Sequence, residues 1–409
     1  MRIFVASWFF PPNTSAEGIV TFKLLKYSVH QYDVCCSKSR NWSYEQNSNL
    51  VSDNINTIAI DTDDIMVWVK QCIKTFKKYH RKYHYKYFMT RSMPPESILI
   101  GEYIKKIDPS IQWIASFGDP IYRNPYEFDA YIYRDILLRK LHIENLLLAH
   151  PKLIPYTLGN LPISKFRLLK KLYFLEKTAL QIADKIVIPS QKQLEYLLQF
   201  NNYKKYKNKC VVIPHSYDKE LYPQKYINNK DKIIITYIGY MDEKRIPEEF
   251  FQALVHLKQL KVNKLKNLRI QFIGNITDKA KDMVEGLFLE DICYFKTSVS
   301  YQESLKIMKE SDYLLHIDAK FEFLNTGSIF LASKLIDYIG SQKKILILSD
   351  IDSEAATVVG NSQGIILERN NFKQISETII NLLEPIDDLQ IYDETYSSKN
   401  IAREFDQLI

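Results

Sequence analysis

The sequence has few cysteines, and they follow no pattern that would bind a metal or build a disulfide framework. There are five, Cys35, Cys36, Cys72, Cys210 and Cys293, and they form no C-x-x-C pair and no regular spacing. This argues against a zinc knuckle and against a disulfide-stabilised fold. The usage fits a reducing compartment best, and we therefore expect a cytoplasmic protein.

Long apolar runs are also missing. None approaches the ~20 residues that span a bilayer, so we expect a protein that is soluble or held peripherally at the inner face of the cell membrane. The N-terminal stretch MRIFVASWFFPPNTSA has one Arg and a short apolar run before a Pro-Pro pair. This favours a first buried strand over a signal peptide.

The composition that remains is globular and slightly basic. Of the 409 residues, 46% are hydrophobic and 25% are charged, and the formal net charge is +7. The length is typical of two packed domains. The charge indicates an attraction to anions, and it does not distinguish phosphates from acidic lipids or nucleic acid.

Apolar strands alternate with helix-period segments along the whole chain. The strand candidates are RIFVASWF, QWIASF, DKIVIPS, CVVIPH, KIIITYIG, RIQFIG, DYLLHI and KKILIL. Such alternation predicts the α/β class, with two doubly wound, Rossmann-like parallel sheets. We assign residues 1–215 to an N-terminal domain, the polar residues 216–231 to a linker, 232–390 to a C-terminal domain, and 391–409 to a helix that packs on either domain.

Ligands of open α/β sheets bind beyond the carboxyl ends of the strands, where helix N-termini attract anions. Three segments that follow a strand or open a helix carry hydroxyl, glycine or charged residues: Ser15, Glu17 and Gly18; Gly239, Lys244 and Arg245; and Ser333, Lys334 and Asp337.

Each group has both a structural and a functional explanation. The first is either an ordinary strand-to-helix turn or a loop that approaches a phosphate, and it is not a G-x-G-x-x-G fingerprint. The second is either a solvated basic turn or a cation pair that shares its helix start with an anion. The third is either a capped helix with a Lys334–Asp337 pair or a site where Ser333 and Lys334 meet a diphosphate and Asp337 meets ribose hydroxyls.

The order of the motifs resembles that of the GT-B glycosyltransferases, in particular the family 4-like enzymes. The resemblance covers most of the chain. It is carried by FFPPNTSAEGIVTFKLLK, RSMPPESILIGEYIKKIDPSIQWIASFGDPI, ADKIVIPSQKQLEYL with VVIPHSYD, YIGYMDEKRIPEEFFQAL, SVSYQESLKIMKESDYLLHID, and SKLIDYIGSQKKILIL with DSEAATVVGNSQG.

The resemblance implies two facing Rossmann-like domains with a cleft between them, and it implies roles for single residues. Arg245 and Lys244 match cations that meet the donor diphosphate, with Ser333 and Lys334 beside them, and Asp337 matches the acid that holds the donor ribose. Glu17 and Gly18 match the loop that faces donor and acceptor, whereas His215, Gly239 and Gly274 match structural positions, His215 as a candidate lining residue.

Two departures from the family pattern affect the sugar and the reacting centre. Many relatives have an E-x7-E pair, but Ile329 stands eight residues before Asp337. The preceding loop offers Glu322, Asn325, Thr326, Gly327 and Ser328 instead. Relatives often place a His after the strand that reads WIASF here, where this chain has Gly118 and Asp119. Asp119 either contacts an acceptor hydroxyl or caps the turn before Pro120.

The function that the resemblance implies is transfer of a sugar from a nucleotide-diphosphate-sugar to a hydroxyl of a glycan, lipid-linked or protein acceptor. We expect retention of configuration, no metal and no cofactor besides the donor. The alternatives are a sugar-nucleotide epimerase of the same fold and a non-catalytic partner or chaperone that binds a glycosylated polypeptide.

The remaining motifs support weaker hypotheses. Asp61-Thr-Asp63 and Asp350-Ile-Asp352 spell D-x-D, and His80 and His84 share a helix face, but neither pattern has the context of a metal site. Ser300-x-x-Glu303 predicts a capping box. Residues 67–92 hold eight Lys or Arg among aromatic residues and no acid. They form a solvated helix, an anionic-membrane surface or, as a third hypothesis that we do not expect, a nucleic-acid site.

Overall fold

The computed structural model describes residues 1–11, 15–38, 50–126, 163–200, 202–224, 232–321, 327–384 and 394–409. The chain divides into two compact units, one of residues 1–214 with 402–409 and the other of residues 215–401. Each unit is built on one parallel sheet.

The first unit contains a seven-stranded sheet in the order β3-β2-β1-β4-β5-β6-β7. Its inner strand β1 is a nearly continuous apolar run, and Ile3 to Ala6 are fully buried, as expected of a parallel strand covered on both faces. The elements are β1 Arg2–Ala6, α1 Ala16–Lys26, β2 Gln31–Ser37, β3 Ile55–Ile60, α2 Ile65–Tyr83, β4 Tyr87–Arg91, α3 Ser97–Ile107, β5 Gln112–Ser116, α4 Ile163–Ile182, β6 Lys185–Ile188, α5 Gln191–Leu198 and β7 Cys210–Val212.

The second unit contains a six-stranded sheet in the order β10-β9-β8-β11-β12-β13. Its helices bury apolar faces against this sheet and leave polar faces outside. The elements are β8 Ile233–Ile238, α6 Glu248–Gln259, β9 Leu268–Ile273, α7 Asp278–Gly286, β10 Cys293–Lys296, α8 Tyr301–Glu310, β11 Tyr313–Ile317, α9 Ser333–Ser341, β12 Lys344–Ser349, α10 Glu354–Gln363, β13 Gly364–Glu368 and α11 Phe372–Leu382. The last helix, α12, spans Ser398–Asp406.

The predicted α/β class with two parallel sheets is confirmed. All eight predicted strands are present, and the described ranges contain five more that were not predicted, β2, β3, β4, β10 and β13. Residues 225–231 of the predicted linker lie outside the described residues, and residues 216–224 belong to the second unit, where Tyr217 forms a bridge with Ser397.

The sequence suggested that the basic segment 67–92 forms one surface, but it does not. The segment divides into the partly exposed helix α2 and the strand β4, whose residues Phe88 to Arg91 are buried in the centre of the sheet. Asp64 begins α2 as its N-cap and accepts hydrogen bonds from the backbone of Met66 and Val67. Over the described ranges, every helix is too short or too polar to cross a membrane.

Candidate functional site

Both sheets reverse their strand order in the middle. In the first sheet the reversal lies between β1 and β4, and in the second it lies between β8 and β11. The crevice beyond the carboxyl ends of the strands at such a reversal is the usual ligand site of an open α/β sheet. The predicted residues cluster at these two places.

In the second unit, two glycines bring the ends of β8 and β9 close together. Gly239 and Gly274 have φ angles of +136° and +139°, which side-chain-bearing residues rarely adopt. A Cβ on Gly274 would lie 2.1 Å from the carbonyl oxygen of Gly239. A Cβ on Gly239 would lie 3.2 Å from Nζ of Lys334. The glycines therefore create the space in which the Lys334 side chain lies.

Lys334 points from the first turn of α9 to the end of β8. Its Nζ lies 3.9 Å from the centroid of the Tyr237 ring, a cation–π contact, and it forms no ion pair with the described carboxylates. Burial and the nearby Arg245 guanidinium hold the pKa of Lys334 well below its ordinary value, against the opposing charges of Asp318 and Asp242. The structural alternative, a capped helix with a Lys334–Asp337 pair, is not observed, because no ion pair joins these two residues and the helix has no side-chain cap.

The first turn of α9 lacks a side-chain cap. Ala332 is the N-cap residue and supplies no side-chain hydrogen bond, so Ser333 is the first helical residue. Leu335 donates its backbone N–H to the Ala332 carbonyl at 3.0 Å. The N–H groups of Ser333 and Lys334 precede the first i→i−4 hydrogen bond of the helix, and they add to the positive end of the helix dipole. The helix ends at Ser341, and its C-cap residue is Gln342 in the left-handed conformation. Gly340, one residue before the end, packs on the Tyr217 side chain.

Arg245 and Lys244 occupy a short 3-10 turn, Glu243–Arg245, that follows β8. Arg245 forms an ion pair with Asp242, with 3.7 Å between Nη1 and Oδ2. Its charge contributes to the lowered pKa of Lys334, so the two cations are near enough to interact electrostatically. Lys244 points elsewhere, with its Nζ 5.3 Å from the centroid of the Phe321 ring.

Asp337 lies one turn along α9 and is buried. Its Oδ1 accepts a hydrogen bond of 3.0 Å from the Tyr301 hydroxyl, and its backbone carbonyl accepts one of 2.6 Å from the Tyr222 hydroxyl. Burial and the Asp337 charge raise the pKa of both phenols. Neither tyrosine could be identified from the local sequence, because they lie 36 and 115 residues away from Asp337.

A buried polar network at the ends of β11 and β12 was also missed. Asp318 lies 3.0 Å from Nε2 of His316 and accepts a hydrogen bond of 2.5 Å from Ser349, and its carbonyl accepts one from Arg369. Burial alone would raise the pKa of Asp318, but its hydrogen bonds to His316 and Ser349 lower it. Burial lowers the pKa of His316, and Lys334 and Arg245 lower it further. The network is therefore near enough to Lys334 and Arg245 for their charges to act on it.

The atypical loop before α9 is described in part. Thr326 lies outside the described residues. Gly327 has a φ of +61°, and a Cβ there would lie 2.8 Å from Oδ1 of Asp352. The carbonyl of Ser328 accepts a hydrogen bond of 2.9 Å from the backbone of Glu354. The loop is thus packed on the start of α10.

In the first unit, Glu17 forms an ion pair with an arginine that we did not single out. Arg91 ends β4, and its Nη2 lies 2.5 Å from Oε2 of Glu17, while Nη1 donates a hydrogen bond of 2.8 Å to Ser116. Gly18 donates its backbone N–H to the N-cap Ser15. The pair lies at the reversal between β1 and β4. Arg91 was missed because it appeared to belong to the basic segment.

The turn after β5 carries Gly118 and Asp119. A Cβ on Gly118 would lie 2.7 Å from Oε1 of Glu17, so a side chain at this position would displace the end of the Glu17 side chain. Asp119 is half-buried. The turn is anchored by Glu176 of α4, whose carboxylate accepts the backbone N–H groups of Ile121 and Tyr122 at 3.2 and 2.9 Å. Burial raises the pKa of Glu176 to about 7.

The discounted motifs have structural explanations. The ring of His80 stacks on Phe76 and contacts the ring of His84 edge-on. Ser300 caps α8 by accepting the backbone N–H of Glu303, which is one of the two hydrogen bonds of the predicted capping box. His215 is largely buried at the beginning of the second unit. No group of three His, Cys, Asp or Glu side chains suitable for a metal occurs in the described part of the chain.

No family model matches the sequence. An uncharacterized glycosyltransferase of Methanocaldococcus jannaschii is 26% identical over 175 residues, which make up 43% of this chain and 42% of that protein. The match therefore spans less than half the length of the curated relative.

Solved structures match over nearly the whole chain at low identity. Anabaena HepE, in complex with UDP and glucose, has a TM-score of 0.61 at 10% identity and covers 100% of this chain and 95% of its own. WaaG, a glycosyltransferase involved in lipopolysaccharide biosynthesis, has a TM-score of 0.58 at 11% identity, with 100% and 96% covered. A candidate UDP-N-acetylglucosamine 2-epimerase of Listeria monocytogenes has a TM-score of 0.55 at 8% identity, with 99% and 94% covered. The chain has the two-unit parallel α/β fold of the GT-B glycosyltransferases, as its motif order predicted.

Proposed function

We propose that the protein is a glycosyltransferase that moves a sugar from a nucleotide-diphosphate-sugar to a hydroxyl acceptor. The observation that carries the proposal is the convergence of Lys334, Arg245 and the uncapped first turn of α9 where the second sheet reverses its order. Three comparisons support it. The Methanocaldococcus jannaschii relative and WaaG are both named glycosyltransferases, and HepE was solved in complex with UDP and glucose.

The donor diphosphate would bind among these positive groups. When the bond to the sugar breaks, negative charge builds on the phosphates, and preorganised cations and N–H groups stabilise it. A diphosphate would also offset the repulsion between Lys334 and Arg245 and so favour the charged form of Lys334. We therefore assign Lys334, Arg245 and Ser333 to the leaving group, and we place Lys244 at the margin because it faces Phe321.

Further roles follow from the resemblance and rest on the proposal. Asp337 would accept hydrogen bonds from the donor ribose, and the loop with Thr326, Gly327 and Ser328 would select the sugar. We propose a retaining, family 4-like reaction that needs no metal and no cofactor besides the donor. His215 and Gly239 would shape the donor site.

The acceptor would bind in the first unit. Glu17 lies beside the Arg91 guanidinium, and a carboxylate so placed can accept a hydrogen bond from a sugar hydroxyl. Asp119 follows the neighbouring strand and would contact the same hydroxyl. We propose a glycan or lipid-linked acceptor on these grounds.

Incubation with a panel of UDP-, GDP- and ADP-sugars tests the function. A glycosyltransferase releases nucleoside diphosphate, and an added glycan or lipid-linked acceptor raises the rate and becomes glycosylated. Epimerised sugar without acceptor would instead identify an epimerase. Donor or glycopeptide binding without turnover would identify a non-catalytic partner, and binding to none of the probes would overturn the proposal.

We also propose that α2 contacts an anionic membrane. One side of the helix is buried through Trp68, Val69, Cys72 and Phe76. The six Lys and Arg residues of the helix are exposed. Met66 and Val67 are also 43% and 42% exposed. Cations and exposed apolar side chains on one helix are typical of interfacial binding. The Arg91 end of segment 67–92 is buried and plays no part.

Sedimentation with vesicles tests this contact. The protein should bind phosphatidylglycerol vesicles and not phosphatidylcholine vesicles, and Lys74→Glu with Lys78→Glu should abolish binding. The matched control is Lys204→Glu with Lys205→Glu in the same unit. Equal binding by both double variants would contradict the proposal, as would binding of oligonucleotides alone.

A further inference from the structure

We propose that Tyr301 is a positioning residue for the nucleotide ribose, acting through Asp337. The inference rests on the proposed function, because it concerns the same donor site. It adds a residue that neither the motifs nor the relatives assign.

The contact is specific to the carboxylate. The Tyr301 hydroxyl donates to Oδ1 of Asp337 at 3.0 Å, whereas the Tyr222 hydroxyl donates to the backbone carbonyl of the same residue. A carboxylate rotates about its terminal torsion unless a partner fixes it. Tyr301 fixes the carboxylate plane, and Tyr222 fixes the helix backbone.

Tyr301 is itself held in place by its own helix. It is the first residue of α8, and the N-cap Ser300 accepts the backbone N–H of Glu303. The carbonyl of Tyr301 accepts a hydrogen bond of 2.6 Å from the Ser304 hydroxyl. The start of α8 is therefore held by hydrogen bonds of its own, and the Tyr301 hydroxyl connects it to α9.

The chemistry suits a ribose. A carboxylate can accept about four hydrogen bonds, so a carboxylate that accepts one from a phenol can also accept hydrogen bonds from vicinal hydroxyls. Because the phenol stays protonated at neutral pH, it always donates and never competes with a hydroxyl for the role of acceptor. Removing it would leave the carboxylate charged and less well oriented.

Calorimetric titration of three variants separates this role from a structural one. The probes are UDP, GDP and ADP, their 2′,3′-dideoxy analogues and inorganic pyrophosphate, and the variants are Tyr301→Phe, the matched control Tyr222→Phe, and Asp337→Asn. Tyr301→Phe should weaken the binding of the ribonucleotide roughly tenfold. It should leave the dideoxy nucleotide and pyrophosphate unchanged, and it should have little further effect in the Asp337→Asn background.

The outcomes are distinguishable. Equal losses for the ribonucleotide and its dideoxy analogue, or no loss at all, would overturn the role of Tyr301 while leaving the donor site intact. Tyr222→Phe should affect all probes alike, and a ribose-selective loss there would also contradict the assignment. If the unaltered protein bound none of the three nucleoside diphosphates, the proposed function would fail and the role of Tyr301 with it.

Discussion

Two glycines set the geometry of the donor side at the scale of single residues. Gly239 and Gly274 both have positive φ, and the Cβ that Gly274 lacks would overlap the Gly239 carbonyl. The Lys334 side chain lies against Gly239 in the space that results. Glycine was expected at both positions from the resemblance, but the reason, a contact between two strand ends, is visible only in the fold.

Gly274→Ala should destabilise the second unit. The strained φ alone costs about 1–3 kcal/mol, and the overlap adds to it. We expect a clear fall in the melting temperature. The control is Gly286→Ala at the end of α7, where an added Cβ meets nothing within 4 Å and should raise stability by up to about 1 kcal/mol. Similar melting temperatures for the two variants would disprove this account of the strand ends.

The sequence could predict where Ser333 and Lys334 lie, because a strand, a loop and a helix start can be read from local pattern. It could not predict that Lys334 would contact Tyr237 instead of Asp337, since that partner is about a hundred residues away in the chain. The same limit applies to Arg91 and Tyr301. Their partners are set by which strands and helices become neighbours, and one chain read alone does not show this.

At the scale of elements, helix α4 fixes the turn that carries Asp119. The buried Glu176 accepts two backbone N–H groups from this turn. Its pKa is raised from 4.5 to about 7, chiefly by burial, so the folded state holds a proton that the unfolded state has released between these values. The free energy of unfolding therefore falls as the pH rises through this window and is unaffected by this group outside it.

Glu176→Gln should remove this pH dependence. Relative to the variant, the unaltered protein should lose on the order of 2–3 kcal/mol of unfolding free energy between pH 5 and pH 8. Chemical denaturation at the two pH values measures the difference. The exposed Glu195→Gln on α5 is the control. A difference that is constant with pH would show that the Glu176 carboxyl is not a buried proton site.

At the scale of the whole molecule, each unit has a group of charged residues where the strand order of its sheet reverses. The first unit places the Glu17–Arg91 pair there, and the second places Lys334 and Arg245 there. The alternation of strands and helices was sufficient to predict two parallel sheets. The strand order, which identifies the reversals, was not predictable because five strands gave no clear signal of their own.

The central claim is that a nucleoside diphosphate binds at the reversal of the second sheet. Titration of the protein with UDP, ADP and GDP tests it most directly when Lys334→Ala is compared with Lys344→Ala. Lys344 is the first residue of β12, so it lies at the amino end of the strands, away from the carboxyl ends where the proposed site lies. We expect at least one nucleotide to bind. Lys334→Ala should weaken that binding roughly ten- to hundredfold, the cost of a hydrogen bond to a charged group, and Lys344→Ala should leave it unchanged. No binding by the unaltered protein, or equal affinity in both variants, would contradict the account.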